Sequence, residues 1–141
     1  MRCDLRGLDL SGKQLNGRNL SFANLAGADL SGASFVGANL EGVTFDGANL
    51  EGANFTGALL INSRLNEARA RNATFVGADL SQAFFWKADL RGANLSNAKL
   101  IRAMFSFADL AGANFVGADV REAEFSDTIL ENTAIDPERG K

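Results

Sequence analysis

The sequence predicts an all-β solenoid, a quadrilateral β-helix in which four five-residue sides make each 20-residue coil. Three observations predict it. Large apolar residues fall on every fifth position: of the 26 such positions from Leu5 to Leu130, 24 hold Leu or Phe, the exceptions being Ala70 and Val120. Two residues before each centre, from Ala23 to Ala123, stands Ala apart from Val43 and Ser63, and two residues after it glycine dominates. All eight Phe among the centres (35, 45, 55, 75, 85, 105, 115 and 125) occupy odd multiples of five.

A period of five fits neither standard element. On an α-helix each step of five turns about 140°, so the centres would wind around every side. On a flat strand they would alternate between faces. One buried seam therefore needs a corner in every repeat. Glycine supplies φ > 0 there, and the Asp or Asn that often precedes the centre can bond nearby backbone groups. The Phe alternation requires an even number of sides per coil. Two sides leave no room for a core, so four is the reading, with Phe on two opposite walls. Coils stacked about 4.8 Å apart give roughly six to seven coils and a rod of about 30 Å.

Phrases such as ADLSG, ANLEG and ANFTG resemble the pentapeptide repeat family, A(D/N)Lxx, over residues 3 to 135. The resemblance implies a right-handed coil. It also implies a scaffold or interaction role. In one branch of the family it implies mimicry of DNA, binding to type II topoisomerase (DNA gyrase) and altered quinolone sensitivity.

In chain order, the first coil (1–22) replaces the inward Ala with Cys3, Leu8, Lys13 and Arg18, and the last (121–135) uses Thr128 and Thr133. Both read as caps of a single domain over 1–135, because a terminal coil lets long or polar residues reach water. Residues 136–141 form a charged tail that contains the sole proline, Pro137. In the middle, NSRLNEARARNATF (62–75) loses glycine, clusters Arg64, Arg69 and Arg71, and puts Ala70 at a centre. That is a packing defect of about 1–3 kcal/mol against leucine.

Positions 20 apart are stacked neighbours, which defines four walls. Wall 1, around centres 5 to 125, carries Arg64, Phe84, Met104 beside Asn66, Trp86, Ser106 and Glu67, Lys87, Phe107. Phe85 points inward, whereas Phe84, Trp86, Met104 and Phe107 form an outward patch expected to bind a protein partner or a second copy. Read instead as local packing, Arg64 lies over Phe84 and Lys87 against Phe107. The C-terminal end around Ile129 and Ile135 can join such a dimer.

Wall 2 places Asp9, Asp29, Asn49, Arg69, Asp89 and Asp109 beside Glu51, Arg71 and Arg91, with Arg69–Asp89 and Arg71–Glu51 as the expected ion pairs. Wall 3 is uncharged from Ala33 to Gly117. It reads as a flat dimer face or simply as residues suited to exposed strands, too irregular for ice binding. Wall 4 mixes Leu59, Ile61, Lys99 and Ile101 with Asp79 and Asp119.

Net charge is −3 with acids and bases interspersed, and histidine and tyrosine are absent. This points away from nucleic acid, from membrane surfaces and from the usual acid–base constellations. No loop leaves the register to wall a pocket, so an enzyme, a cofactor and a metal site are not expected. One cysteine and no apolar run of spanning or signal-peptide length lead to a cytoplasmic expectation.

Overall fold

The computed structural model describes residues 2–135; the tail, 136–141, lies outside them. Single parallel bridges join residues 20 apart, from Asp4↔Asn24 to Asn114↔Ala134. The sides are therefore point contacts in a β-helical stack rather than extended strands. Around Phe85, its N–H donates to the carbonyl of Met104 (2.8 Å), the Lys87 N–H to Ser106 (3.1 Å), and the Phe84 N–H to Ser63 (3.0 Å). The corner closes through the Ala88 N–H on the Phe85 carbonyl (3.0 Å). Each side satisfies most of its backbone by stacking, as buried peptide groups require.

Centres and the residues two before them are buried from Ala23 to Val120. The first coil leaves Cys3, Leu8, Lys13 and Arg18 exposed, and beyond Val120 the inward residues are only half-buried or exposed. Both ends thus meet water with their would-be core positions.

The rings reproduce the opposite-wall pattern. Along wall 3, Phe35, Phe55 and Phe75 stack with centroids 5.0 Å apart. On wall 1, Phe85 stacks on Phe105 (4.6 Å) and Phe105 on Phe125 (5.1 Å). Across the lumen the two columns meet edge to face, as in Phe75–Phe85 at 6.4 Å and Phe105–Phe115 at 5.9 Å. The edge-to-face contacts are favoured by the ring quadrupole.

The corner is wider in sequence than glycine alone. Every position two after a centre, from Gly7 to Asn132, has positive φ, and 12 of these residues are not glycine. Asn and Asp tolerate this region, but Phe22 (φ 60°) and Phe107 (φ 61°) are bulky residues held there by the coil. Phe22 lies across Gly42, where an added Cβ would meet its ring at 2.5 Å. Ala70 is fully buried in the coil that also contains Ser63, whose buried hydroxyl has no hydrogen-bond partner.

Candidate functional site

Away from the aromatics, one arrangement recurs over the outward face. The N–H just after a centre donates to no backbone carbonyl in the stack, and where an Asp or Asn stands just before the centre it commonly bends over to accept it; Leu59, Arg69 and Lys99 hold the same position and cannot. Asn24 takes the N–H of Ala26 (3.1 Å), Asp29 that of Ser31 (3.1 Å), and Asn54 that of Thr56 (3.0 Å). These Asx caps are the physical reason for A(D/N)L.

Wall 1 lacks this cap in an unbroken run from Thr44 to Met104, whereas the other walls lose it at separate places such as Leu59, Arg69 and Lys99. Arg64, Phe84 and Met104 occupy successive cap positions, where Arg and Phe have no acceptor and the Met thioether is only a weak one. The cap moves instead to the preceding coil. Asp46 Oδ1 accepts the N–H of Asn66 (3.1 Å), and Asn66 Oδ1 accepts that of Trp86 (3.0 Å). Asn66 is thus the residue that orients the Trp86 backbone. Sequence reasoning had named it only as a neighbour; an Asp or Asn just after the centre, where the residue before it is not one, is the signal that marks such a shifted cap.

The four expected patch residues are all exposed: Phe84 by 37%, Trp86 by 42%, Met104 by 39% and Phe107 by 54%. Phe84 and Met104 are bridged neighbours, with Trp86 beside Phe84 and Phe107 at the next corner. One packing expectation is corrected. Lys87 Nζ sits 4.5 Å over the Trp86 ring rather than against Phe107, because both side chains leave the same corner turn. Arg64 pairs with Asp46 at 2.8 Å, next to shallow depressions lined by Asn66, Phe84, Glu67 and Trp86.

The ion pairs of wall 2 also differ from expectation. Arg71 reaches Asp89 (2.7 Å) rather than Glu51. Arg91 joins the same carboxylate (2.7 Å) and approaches Asp109 (3.5 Å), while Arg69 makes no ion pair among the described residues. The reason is reach. Residues just after a centre project at the turn, where a guanidinium curls back onto the capping Asp of its own or the next coil. Hydrogen bonding to Asp89 accordingly raises the Arg71 pKa.

On wall 3, Asn94 and Asn114 cap Ser96 (3.0 Å) and Val116 (2.9 Å). That turns the amide oxygens of both residues onto the wall's own backbone. A further depression at the first coil has Phe22 and Gly42 in its lining together with Arg2, Cys3 and Arg6. There Arg6 is held by Asp4 (2.8 Å), and hydrogen bonds from the Arg6 guanidinium and N–H bring the Asp4 carboxyl down to about 2. Among the described residues no group of three His, Cys, Asp or Glu converges to hold a metal.

A family model described as Pentapeptide repeats matches eight copies, over residues 1–35, 14–52, 48–86, 88–127 and 103–135. No curated protein matches the sequence. Among solved structures the chain is similar to QnrB1, a plasmid-mediated fluoroquinolone resistance protein. Identity is 23% and the TM-score 0.56, covering 96% of this chain and 78% of that one. It is also similar to HetL, a protein involved in heterocyst differentiation regulation from the cyanobacterium Nostoc sp. Strain PCC 7120. There identity is 26% and the TM-score 0.33, covering 98% and 91%. The QnrB1 likeness bears on fold.

Proposed function

This chain belongs to the pentapeptide repeat family, and from that premise we propose that it is a non-enzymatic interaction module. In this reading it is a rigid right-handed rod of about six to seven coils. Coils 1–22 and 121–135 act as caps, and the binding surface is Phe84, Trp86, Met104 and Phe107. The setting is cytoplasmic, with no cofactor and no direct contact with nucleic acid or membrane.

One observation carries the reading. On this wall three positions that often serve the fold are given to apolar side chains that adjoin one another, whereas Phe22 and Leu59 do the same singly elsewhere. Phe84 and Met104 displace Asx caps, and Phe107 holds a left-handed corner that suits glycine. At Phe84 nothing is lost, because Asn66 caps the Trp86 N–H (3.0 Å); Met104 and Phe107 each forgo a local stabilisation of about 0.5–2 kcal/mol. Side chains that weaken the fold where they stand, and cluster in the open, fit a surface kept for contact.

DNA mimicry is the reading the observations favour less. It needs a sustained acidic face, whereas arginines pair with the acids of every charged wall: Arg64 with Asp46, Arg91 with Asp89, and Arg121 with Asp119.

The test is affinity capture from host lysate with wild type and a folded variant made polar at Phe84, Trp86, Met104 and Phe107. A protein held by wild type and lost by the variant supports the reading. Captures identical for both, or none, remove the patch as the site of contact with another protein. Topoisomerase subunits retained by both would restore the mimic.

A further inference from the structure

The column that bears the patch is self-complementary. Bridges place Arg64, Phe84, Met104 and Glu124 in one line along wall 1. Two copies of this wall can face each other about a two-fold axis that lies in the interface and runs parallel to the sides, between the coils of Phe85 and Phe105. Such an axis reverses the stacking order but keeps every column opposite itself. The pairing that results is fixed by geometry alone, and its chemistry can be read off position by position.

Arg64 then meets Glu124 of the second copy, and Phe84 meets Met104. Both pairings occur twice by symmetry. Opposite charges thus bracket an apolar centre made of aromatic and thioether groups, which attract one another. In the adjacent column the bulky Trp86 falls opposite the small Ser106, and Asn66 opposite Ser126. At the corner Lys87 falls opposite Phe107, a cation beside a ring. The one like-charged pairing, Glu67 with Asp127, lies in that same corner column and works against the Lys87–Phe107 contact there.

The charges are free to take part. Arg64 uses one nitrogen on Asp46 and keeps its side chain largely in solvent. Glu124 is exposed and makes no ion pair among the described residues. No other axis between adjacent coils of wall 1 gives this order. Moved one coil toward the N-terminus, it sets Phe84 opposite Arg64 and Met104 opposite Thr44. Moved one coil the other way, it sets Met104 opposite Glu124.

We propose that the partner of this surface is a second copy of the chain, bound antiparallel through wall 1 with Arg64 against Glu124 and Phe84 against Met104. This deepens the interaction reading and rests on it. One narrow wall is a small contact, so association is expected to be weak and concentration-dependent.

The test uses the full chain and its mass in solution over a wide concentration range. Wild type should rise from 14.9 kDa toward twice that. Arg64→Glu and Glu124→Arg should each stay monomeric, since each sets like charges opposite at both symmetric positions. An equimolar mixture of the two variants should recover the dimer, because one copy then carries two acids and the other two bases at matching places. Circular dichroism of each variant alone checks that it is folded.

Recovery in the mixture establishes the pairing, since loss of folding in either variant cannot produce it. Wild type that remains monomeric throughout overturns the pairing and leaves contact with another protein to the capture experiment. A dimer that survives in either folded single variant, or a mixture no larger than its components, overturns it equally. A dimer found together with an empty capture assigns the patch to self-association.

Discussion

The coils before residue 60 and those after it share one interior and differ at their corners and on wall 1. Up to Gly57 the corners are glycine except at Phe22, whereas from Asn62 to Asn132 most are not. Asx caps recur in both regions, at Asn24 and Asn49 early and at Asp79 and Asn94 later, but wall 1 lacks them at Arg64, Phe84 and Met104. The lumen is indifferent to the change: Phe55 on Phe75 and Phe85 on Phe105 stack alike. Core and surface are therefore separable here. The core fixes the coil, and the coil tolerates local strain wherever the surface has another use.

The largest expected effects should be blind to the difference. Phe45→Ala and Phe105→Ala, one in each region, should each lose about 3–5 kcal/mol in chemical denaturation, since both remove a fully buried ring. A loss confined to one region would mean that the interiors are not equivalent.

The coil of Ala70 sharpens the comparison next. It combines a small centre with the unpartnered Ser63 hydroxyl, so its interior holds less than that of its neighbours. Ala70→Leu should raise stability by about 1–3 kcal/mol, and no change or a loss would show that the neighbours have already closed the space.

Corners give the smaller, opposite-signed pair. Gly47→Phe, at an open corner of the early region, should cost about 1–2 kcal/mol through the left-handed backbone alone. Phe107→Gly should gain somewhat less, about 0.5–1 kcal/mol, because glycine loses more freedom on folding.

Smallest is the acid response of the first coil. Asp4 is depressed from 3.8 to about 2, so its contribution is complete above the ordinary value and lost as pH falls through about 2. Arg6→Ala should return the Asp4 titration, followed by NMR, toward 3.8.

The fold was legible because inward positions answer to one strict demand. Leu or Phe at every fifth residue, with Phe on alternate centres, forces a corner per repeat and an even number of sides. The patch was legible as exposure, since Phe84 and Trp86 flank the inward Phe85. Contacts among outward side chains were not. Lys87 over Trp86, Asn66 capping Trp86 and Arg71 reaching Asp89 depend on how turn residues curl, and spacing does not specify that. Glycine marked the corners correctly but hid their generality, because the coil imposes positive φ even on Phe107.

The central claim is that the exposed aromatics of wall 1 serve contact and not folding. Its most direct test is the unfolding free energy of one variant carrying Phe84→Asn, Trp86→Ser, Met104→Asn and Phe107→Gly, measured in dilute monomeric protein. A cap gained at residue 104 and a relaxed corner at residue 107 predict stability equal to wild type or higher, the N–H of residue 86 being capped by Asn66 throughout. A cooperative loss of more than about 2 kcal/mol, the size of a breached packing contact, would show that these side chains hold the rod together and would contradict the assignment.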